Sequence, residues 1–192
     1  MIRRKIHNRL IRIIELTLEK SKILSNIYTR FFTKMTLNEF NMAVLPDDAE
    51  ILVIGCGPIP HTLTILGEKT NWKITGIDKD KKAVKKAEIM IKKNKLDEKI
   101  DIKYDDGLTV NLSKYNLIVI AHGVEPKEKL LERIIKDKPK DANILYRTTW
   151  EILDIFYGKE WIPDKAVVKN VYYRPDLIKS IILEGKKTWI LS

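Results

Sequence analysis

Apolar positions change their period along this chain of 192 residues. Over the first 45, Ile6, Leu10, Ile13, Ile14 and Leu18 recur at helical spacing, and so do Ile23, Leu24, Ile27, Tyr28, Phe31, Phe32 and Met35. The stretch holds neither Gly nor Pro, so it predicts two amphipathic helices. Pro46-Asp47-Asp48 then marks a boundary between a helical extension, 1–45, and a second unit, 46–192. From residue 49, short apolar runs alternate with helical stretches. Strands are predicted at 50–54, 73–77, 100–104, 116–121 and 142–147, and helices at 60–69, 80–95, 126–136 and 149–157. Pro60 and Pro126 suit first-turn positions of their helices. Strands separated by helices imply an α/β fold with a parallel sheet covered on both faces. The tail changes character. Ala166–Val171, Ser180–Leu183 and Thr188–Leu191 read as short strands, with Glu184-Gly185-Lys186 as a hairpin turn between the last two. The expected sheet is therefore mostly parallel and closes in an antiparallel hairpin.

The first predicted strand, Ile51–Ile54, runs directly into Gly55-Cys56-Gly57-Pro58-Ile59-Pro60. The next ends on an acid, in Ile74-Thr75-Gly76-Ile77-Asp78. Strand, glycine turn, helix, strand and acid form a nucleotide-binding βαβ unit. Gly55 and Gly57 allow a tight turn and close approach of the backbone to a ligand, and Asp78 can accept hydrogen bonds from ribose hydroxyls. The third glycine of the dinucleotide pattern is missing. Pro58 and Pro60 remove N–H donors where a pyrophosphate would want them. S-adenosylmethionine has no phosphate and needs only a few backbone contacts, so it fits this loop better than NAD or FAD. Asp105 and Asp106, in Tyr104-Asp105-Asp106-Gly107, end the third predicted strand, where an acid in adenosylmethionine-dependent enzymes commonly receives the adenine amino group; the same residues are also ordinary turn chemistry. Cys56 sits inside the loop, with its thiol expected to face the fold.

The loop resembles the Gly-x-Gly-Pro-x-Pro loop of the nicotianamine synthase family. Two later segments are also similar to that family: Leu117–Lys127, with Ala121-His122 and Glu125-Pro126-Lys127, and Asn143–Thr148, with Tyr146-Arg147-Thr148. The resemblance covers roughly 50–158. It implies a Rossmann-like sheet of the class I methyltransferase kind, and transfer of the 3-amino-3-carboxypropyl group of S-adenosylmethionine to an amine, with release of methylthioadenosine. Positioning of the amine supplies much of the rate in such a reaction, and a carboxylate or tyrosine takes the proton. Family members carry a sizeable helical domain ahead of the sheet, whereas here about 45 residues precede it.

On this reading Glu125 and Tyr146 are the candidate catalytic groups. Gly55, Cys56, Gly57, Pro58, Asp78, Asp105, Asp106, Ala121 and His122 would line the cofactor. Arg147 would grip an acceptor carboxylate through its planar fork, with His61 beside it. Each has a plainer alternative. Glu125 could be an acid favoured by a helix N-terminus, His122 a strand cap, and Arg147 a surface ion-pair partner.

Composition narrows the setting. Hydrophobic residues at 44% and charged residues at 32% describe a globular domain rather than a disordered chain. The net charge is +10, and nine basic against three acidic residues in 1–45 carry more than half of it. A basic surface leaves RNA open as a partner, although no aromatic-interleaved basic repeat supports it and a small amine or amino-acid-like acceptor is favoured. The Lys-, Glu- and Ile-rich composition also resembles a thermophile's protein. One Cys suits a reducing cytoplasm, and three scattered His give no metal spacing. No run is long enough to span a bilayer, and Arg12 and Glu15 interrupt residues 10–18 against a signal sequence. The stripe over 23–35 offers a homodimer surface or a face to bury on the sheet. Two other functions stay open: methyl transfer to a small molecule or RNA on the same fold, and a non-catalytic cofactor-binding or docking protein.

Overall fold

The computed structural model describes residues 22–153 and 161–185, with side chains from Arg30 onward. Helix α1, Lys22–Phe40, leads into strand β1, Glu50–Ile54. Helix α2 (His61–Lys69), β2 (Lys73–Asp78), α3 (Lys81–Lys93) and β3 (Ile100–Tyr104) follow. Then come β4 (Leu117–Ile120), α4 (Lys127–Asp137), β5 (Asn143–Thr149), and the hairpin β6 (Ala166–Tyr173) and β7 (Ile178–Gly185). The seven strands of the described residues form one sheet in the order β3-β2-β1-β4-β5-β7-β6. The first five are parallel, and β7 runs antiparallel to β5 and β6. This is a class I methyltransferase-like sheet.

The central strands are continuous apolar runs because both of their faces are covered. Successive side chains alternate faces. On one face Ile51, Val53, Val119, Leu145 and Ile182 pack with Phe40 of α1, Leu63 and Leu66 of α2, and Val84, Ala87 and Ile91 of α3. On the other, Leu52, Ile54, Ile118, Ile120, Ile144 and Leu183 meet Leu130, Leu131 and Ile134 of α4. The caps follow the local sequence. Asp80 accepts the Lys82 N–H at 2.8 Å at the start of α3, and Lys92 and Lys93 close its last turn. The parallel register pairs Ile54 with both Ile77 and Ile120, so β1, β2 and β4 end together. The strand order reverses between β1 and β4, which opens a crevice at their carboxyl ends.

The tail differs from the sequence expectation. Within the described residues the hairpin turn is Arg174–Leu177; of the expected turn at Glu184-Gly185-Lys186, Glu184 and Gly185 lie in a strand and Lys186 lies outside the described residues. Pro175-Asp176 supplies the turn, Leu177 takes φ +65°, and Arg174 N–H donates to the Ile178 carbonyl at 2.8 Å. Glu184 and Gly185 instead pair with Val167 and Ala166 in the ladder. The predicted helix at 149–157 is also replaced in its first part. Thr149 still belongs to β5, the Trp150 N–H binds the Leu177 carbonyl at 3.1 Å, and Glu151–Leu153 is a single 3₁₀ turn. Residues 154–157, the predicted strand at 188–191 and the first amphipathic helix lie outside the described residues.

The second amphipathic helix is α1, and only part of its stripe is buried. Met35, Thr36, Glu39 and Phe40 are covered, whereas Phe31 is 48% exposed. Glu39 is fully buried and ties the helix to the sheet. Its carboxylate accepts from Arg147 Nε and Nη2, both at 2.6 Å, from Arg174 Nη1 at 2.7 Å and from Ser180 Oγ at 2.5 Å. Arg174 also pairs with Asp176 at 2.6 Å, so two guanidinium groups meet two carboxylates. Burial alone would raise the Glu39 pKa, but the two arginines and the Ser180 hydroxyl hold it below the ordinary glutamate value.

Removing one member of a buried pair leaves the others uncompensated. Glu39→Ala should therefore cost about 3–5 kcal/mol in urea denaturation at neutral pH. A folded pKa below the unfolded one gives stability that is present above the unfolded value and lost as pH falls through the folded one. The gap between the wild type and Glu39→Ala should accordingly be full at pH 7 and shrink below about pH 4.

Candidate active site

The crevice at the ends of β1, β2 and β4 is built by the glycine loop. Gly55 (φ +81°) and Gly57 (φ +67°) both occupy the left-handed region, where other residues are strained. The N–H groups of Gly55 and Cys56 converge on the Ile77 carbonyl, at 2.8 and 3.1 Å, and curl the loop over β2. A Cβ at Gly55 would lie 2.4 Å from Val124 Cγ2, so glycine also permits the loop after β4 to close in. A Cβ at Gly57 would meet nothing within 4 Å, which leaves open space in front of the loop.

Asp78 ends β2 and is anchored through both oxygens. Oδ2 accepts the Gly57 N–H at 2.9 Å, and Oδ1 accepts the Asp80 N–H at 2.9 Å. Each oxygen keeps acceptor capacity for a further donor. Asp105 and Asp106 make the turn of their plainer sequence reading. The Asp105 carboxylate accepts the Asp106 N–H at 2.7 Å, and Asp106 Oδ1 accepts the Leu108 N–H at 2.9 Å, so they form a turn. The same turn is a wall of the crevice. Arg133 of α4 holds it there, donating to the carbonyls of Gly107 at 2.8 Å and Val110 at 2.5 Å. Gly107 is required at this wall because a Cβ would lie 2.7 Å from Ile54 Cγ2.

The resulting cleft is about 340 Å³, the size of a small-molecule site. Gly55, Gly57, Asp78, Asp105, Asp106 and Glu125 line it together, with Lys79, Leu108 and Val124 among their neighbours. Four carboxylates against the single ammonium of Lys79 make it acidic within a protein of net charge +10. An acid-lined cleft suits a cationic ligand.

The other sequence candidates lie off its walls. Ala121 and His122 follow β4, Ala121 donating to the Ile54 carbonyl at 3.1 Å, while Pro58 is exposed and His61 opens α2. Cys56 is buried, and desolvation, then the Asp78 charge, push its thiol up to about 12. A thiol held protonated is a poor nucleophile. Tyr146 is 3% exposed and packs in the α4-side core, with Lys127 Nζ 5.3 Å from its ring. Arg147 does make a bidentate grip on a carboxylate, but that carboxylate is Glu39, and its third contact is Thr62 Oγ1 at 3.1 Å. Sequence reading missed Glu39, Lys79 and Arg133. Their spacing along the chain gives no signal, because each acts on a residue brought near only by folding. A larger cleft of about 840 Å³ lies at the opposite sheet edge, beside Trp161, Ile162 and Gly185, and holds none of the candidate residues. Among the described residues no group of three or more His, Cys, Asp or Glu is arranged for a metal, and no helix is long and apolar enough to cross a membrane.

Comparison with known proteins supports the fold and adds the family. No curated protein matches the chain. Among solved structures, MtNAS in complex with MTA and tNA is 16% identical with a TM-score of 0.71, over 89% of this chain and 68% of that one. A mutant of MtNAS matches at 15% identity and a TM-score of 0.71, over 81% of this chain and 60% of the other. The chain thus spans less than two thirds of that relative's length. An RNA methyltransferase from Salinibacter ruber, in complex with S-adenosyl-L-homocysteine, is 12% identical with a TM-score of 0.62, over 83% and 95% of the two chains. These likenesses show a shared fold. Residues 24–190, most of the chain, match the family described as Nicotianamine synthase protein. The chain belongs to the nicotianamine synthase family.

Proposed function

We propose that this chain is an S-adenosylmethionine-dependent transferase that moves the 3-amino-3-carboxypropyl group to an amine of a small, amino-acid-like acceptor. The observation that carries the reading is the acidic cleft on the glycine loop in a chain of this family. Its four carboxylates suit a sulfonium cation, and its volume suits a nucleoside with an amino-acid arm. The open space before Gly57 accepts the ligand against the backbone, the free lone pairs of Asp78 suit ribose hydroxyls, and Asp105 or Asp106 suits the adenine amino group. When bound, the sulfonium makes three adjacent carbons open to attack. The acceptor nitrogen forms its bond to the aminocarboxypropyl carbon as the C–S bond breaks, and the electron pair leaves with the thioether. The nitrogen must also lose a proton. In this reading Glu125, one of the four acids that line the cleft, takes it, since the other three are assigned to the nucleoside and the Tyr146 ring is held in the core. A single buried Cys56 fits action in a reducing cytoplasm.

Methyl transfer is the competing reading, supported by the fold likeness to the Salinibacter ruber RNA methyltransferase. The two reactions leave different nucleosides. Chromatography of a reaction with S-adenosylmethionine and a panel of small amino acids should show methylthioadenosine; S-adenosylhomocysteine in its place would overturn the aminocarboxypropyl reading. Two variants test the site itself. Asp78→Ala removes charge-assisted bonds and should weaken cofactor binding about 10–100-fold by calorimetry. Gly55→Ala should abolish measurable binding, because its Cβ would collide with Val124.

A further inference from the structure

Lys79 belongs to neither the glycine loop nor the acids, yet its side chain makes a contact across the cleft. Its Nζ donates to the Glu125 carbonyl at 2.8 Å, and both residues line the cleft. The sheet order shows what this contact crosses. Lys79 follows β2 and Glu125 lies beyond β4, and these strands flank β1 on opposite sides. The link therefore spans two strand spacings, about 9–10 Å, over the end of β1 where Gly55–Gly57 turns. A nucleoside seated on that loop, with its ribose at Asp78, would lie beneath the lysine stem.

We propose that Lys79 is a strap that closes over the bound nucleoside and positions it, so that release requires the Lys79–Glu125 link to open. This inference rests on the cofactor reading above. The chemistry suits such a role. The four-carbon stem covers apolar ring surface while its ammonium stays at the wet rim. The link is one exposed hydrogen bond to a neutral carbonyl, so it opens and re-forms easily. It acts differently on the two nucleosides of the reaction. The cationic cofactor is also held by four carboxylates and repelled by the ammonium. The neutral thioether product lacks that attraction, so the strap makes up a larger share of what holds it.

Dissociation rates of methylthioadenosine and S-adenosylmethionine, measured by stopped-flow displacement on the full chain, test the strap. Loss of one charge-assisted hydrogen bond in Lys79→Met should speed methylthioadenosine release about tenfold. Release of S-adenosylmethionine should quicken less, because a repulsion is lost as well. Lys79→Arg can still donate to the carbonyl and should restore slow release. Melting curves on the same samples separate a folding defect from a lost strap. Unchanged release rates in Lys79→Met would overturn the proposal, and so would an effect confined to the association rate that vanishes at high salt, since that is charge steering. If the wild type binds neither nucleoside, the cofactor reading fails and takes the strap with it. If it binds both and Lys79→Met releases them at the wild-type rate, the strap alone fails.

Discussion

The hydrogen bond from the Gly57 N–H to the Asp78 carboxylate joins the two ends of the βαβ unit on which the cleft is built. It exists because β1 and β2 end in register, with Ile54 opposite Ile77, and because Gly57 can hold a positive φ that aims its N–H at β2. The Asp80 N–H restrains the other Asp78 oxygen, so the carboxylate is set before any ligand arrives. Preorganisation of this kind reduces the ordering that binding must otherwise impose. The remaining walls arrive by the same logic. Gly107 lets the Asp105–Asp106 turn settle against Ile54, and Arg133 fastens that turn to α4.

Charge is distributed against the overall balance of the chain. The protein is strongly basic, but the cleft gathers acids around the one ammonium of Lys79, and other basic residues near it are committed to structure. Arg133 holds a turn, and Lys127 donates to the Arg147 carbonyl at 3.1 Å. Arg147 and Arg174 neutralise Glu39 in the interior. That buried cluster joins a helix ahead of the sheet to β5, β7 and the hairpin turn, elements more than 100 residues apart in sequence. A buried ion cluster is a costly way to gain stability, since apolar packing could do as well. It does tie the docking of α1 to a single carboxylate that meets both arginines and Ser180 at once.

Much of the fold was legible because its signals are local. The parallel strands are short apolar or, in edge strand β3, alternating segments bounded by turn residues, and the helices between them carry one apolar face. The tail was misread because its strands are short and the Pro175-Asp176 turn competes with the equally turn-like Glu184-Gly185. Pairing with β6 keeps Glu184 and Gly185 extended, so the first described turn of the tail is the one at Pro175-Asp176. The departure at the start of the predicted helix after β5, over 149–153, has a similar origin. Extended pairing of Thr149 with Ile178 outweighs a modest helical pattern.

The sequence by itself determined the glycine loop, the acids at the ends of successive strands and the family motifs, since these depend on residue type and short spacing. Tertiary structure alone decided which of those residues share a cleft. Strand register aligned Asp78, Asp105 and Glu125 around the loop, whereas core packing drew Tyr146 inward and Glu39 claimed the fork of Arg147. The physical reason is range. A backbone conformation or a helical face is written within a few residues, but a hydrogen bond between Glu39 and Arg147, or between Lys79 and Glu125, exists only once the sheet has brought distant segments together.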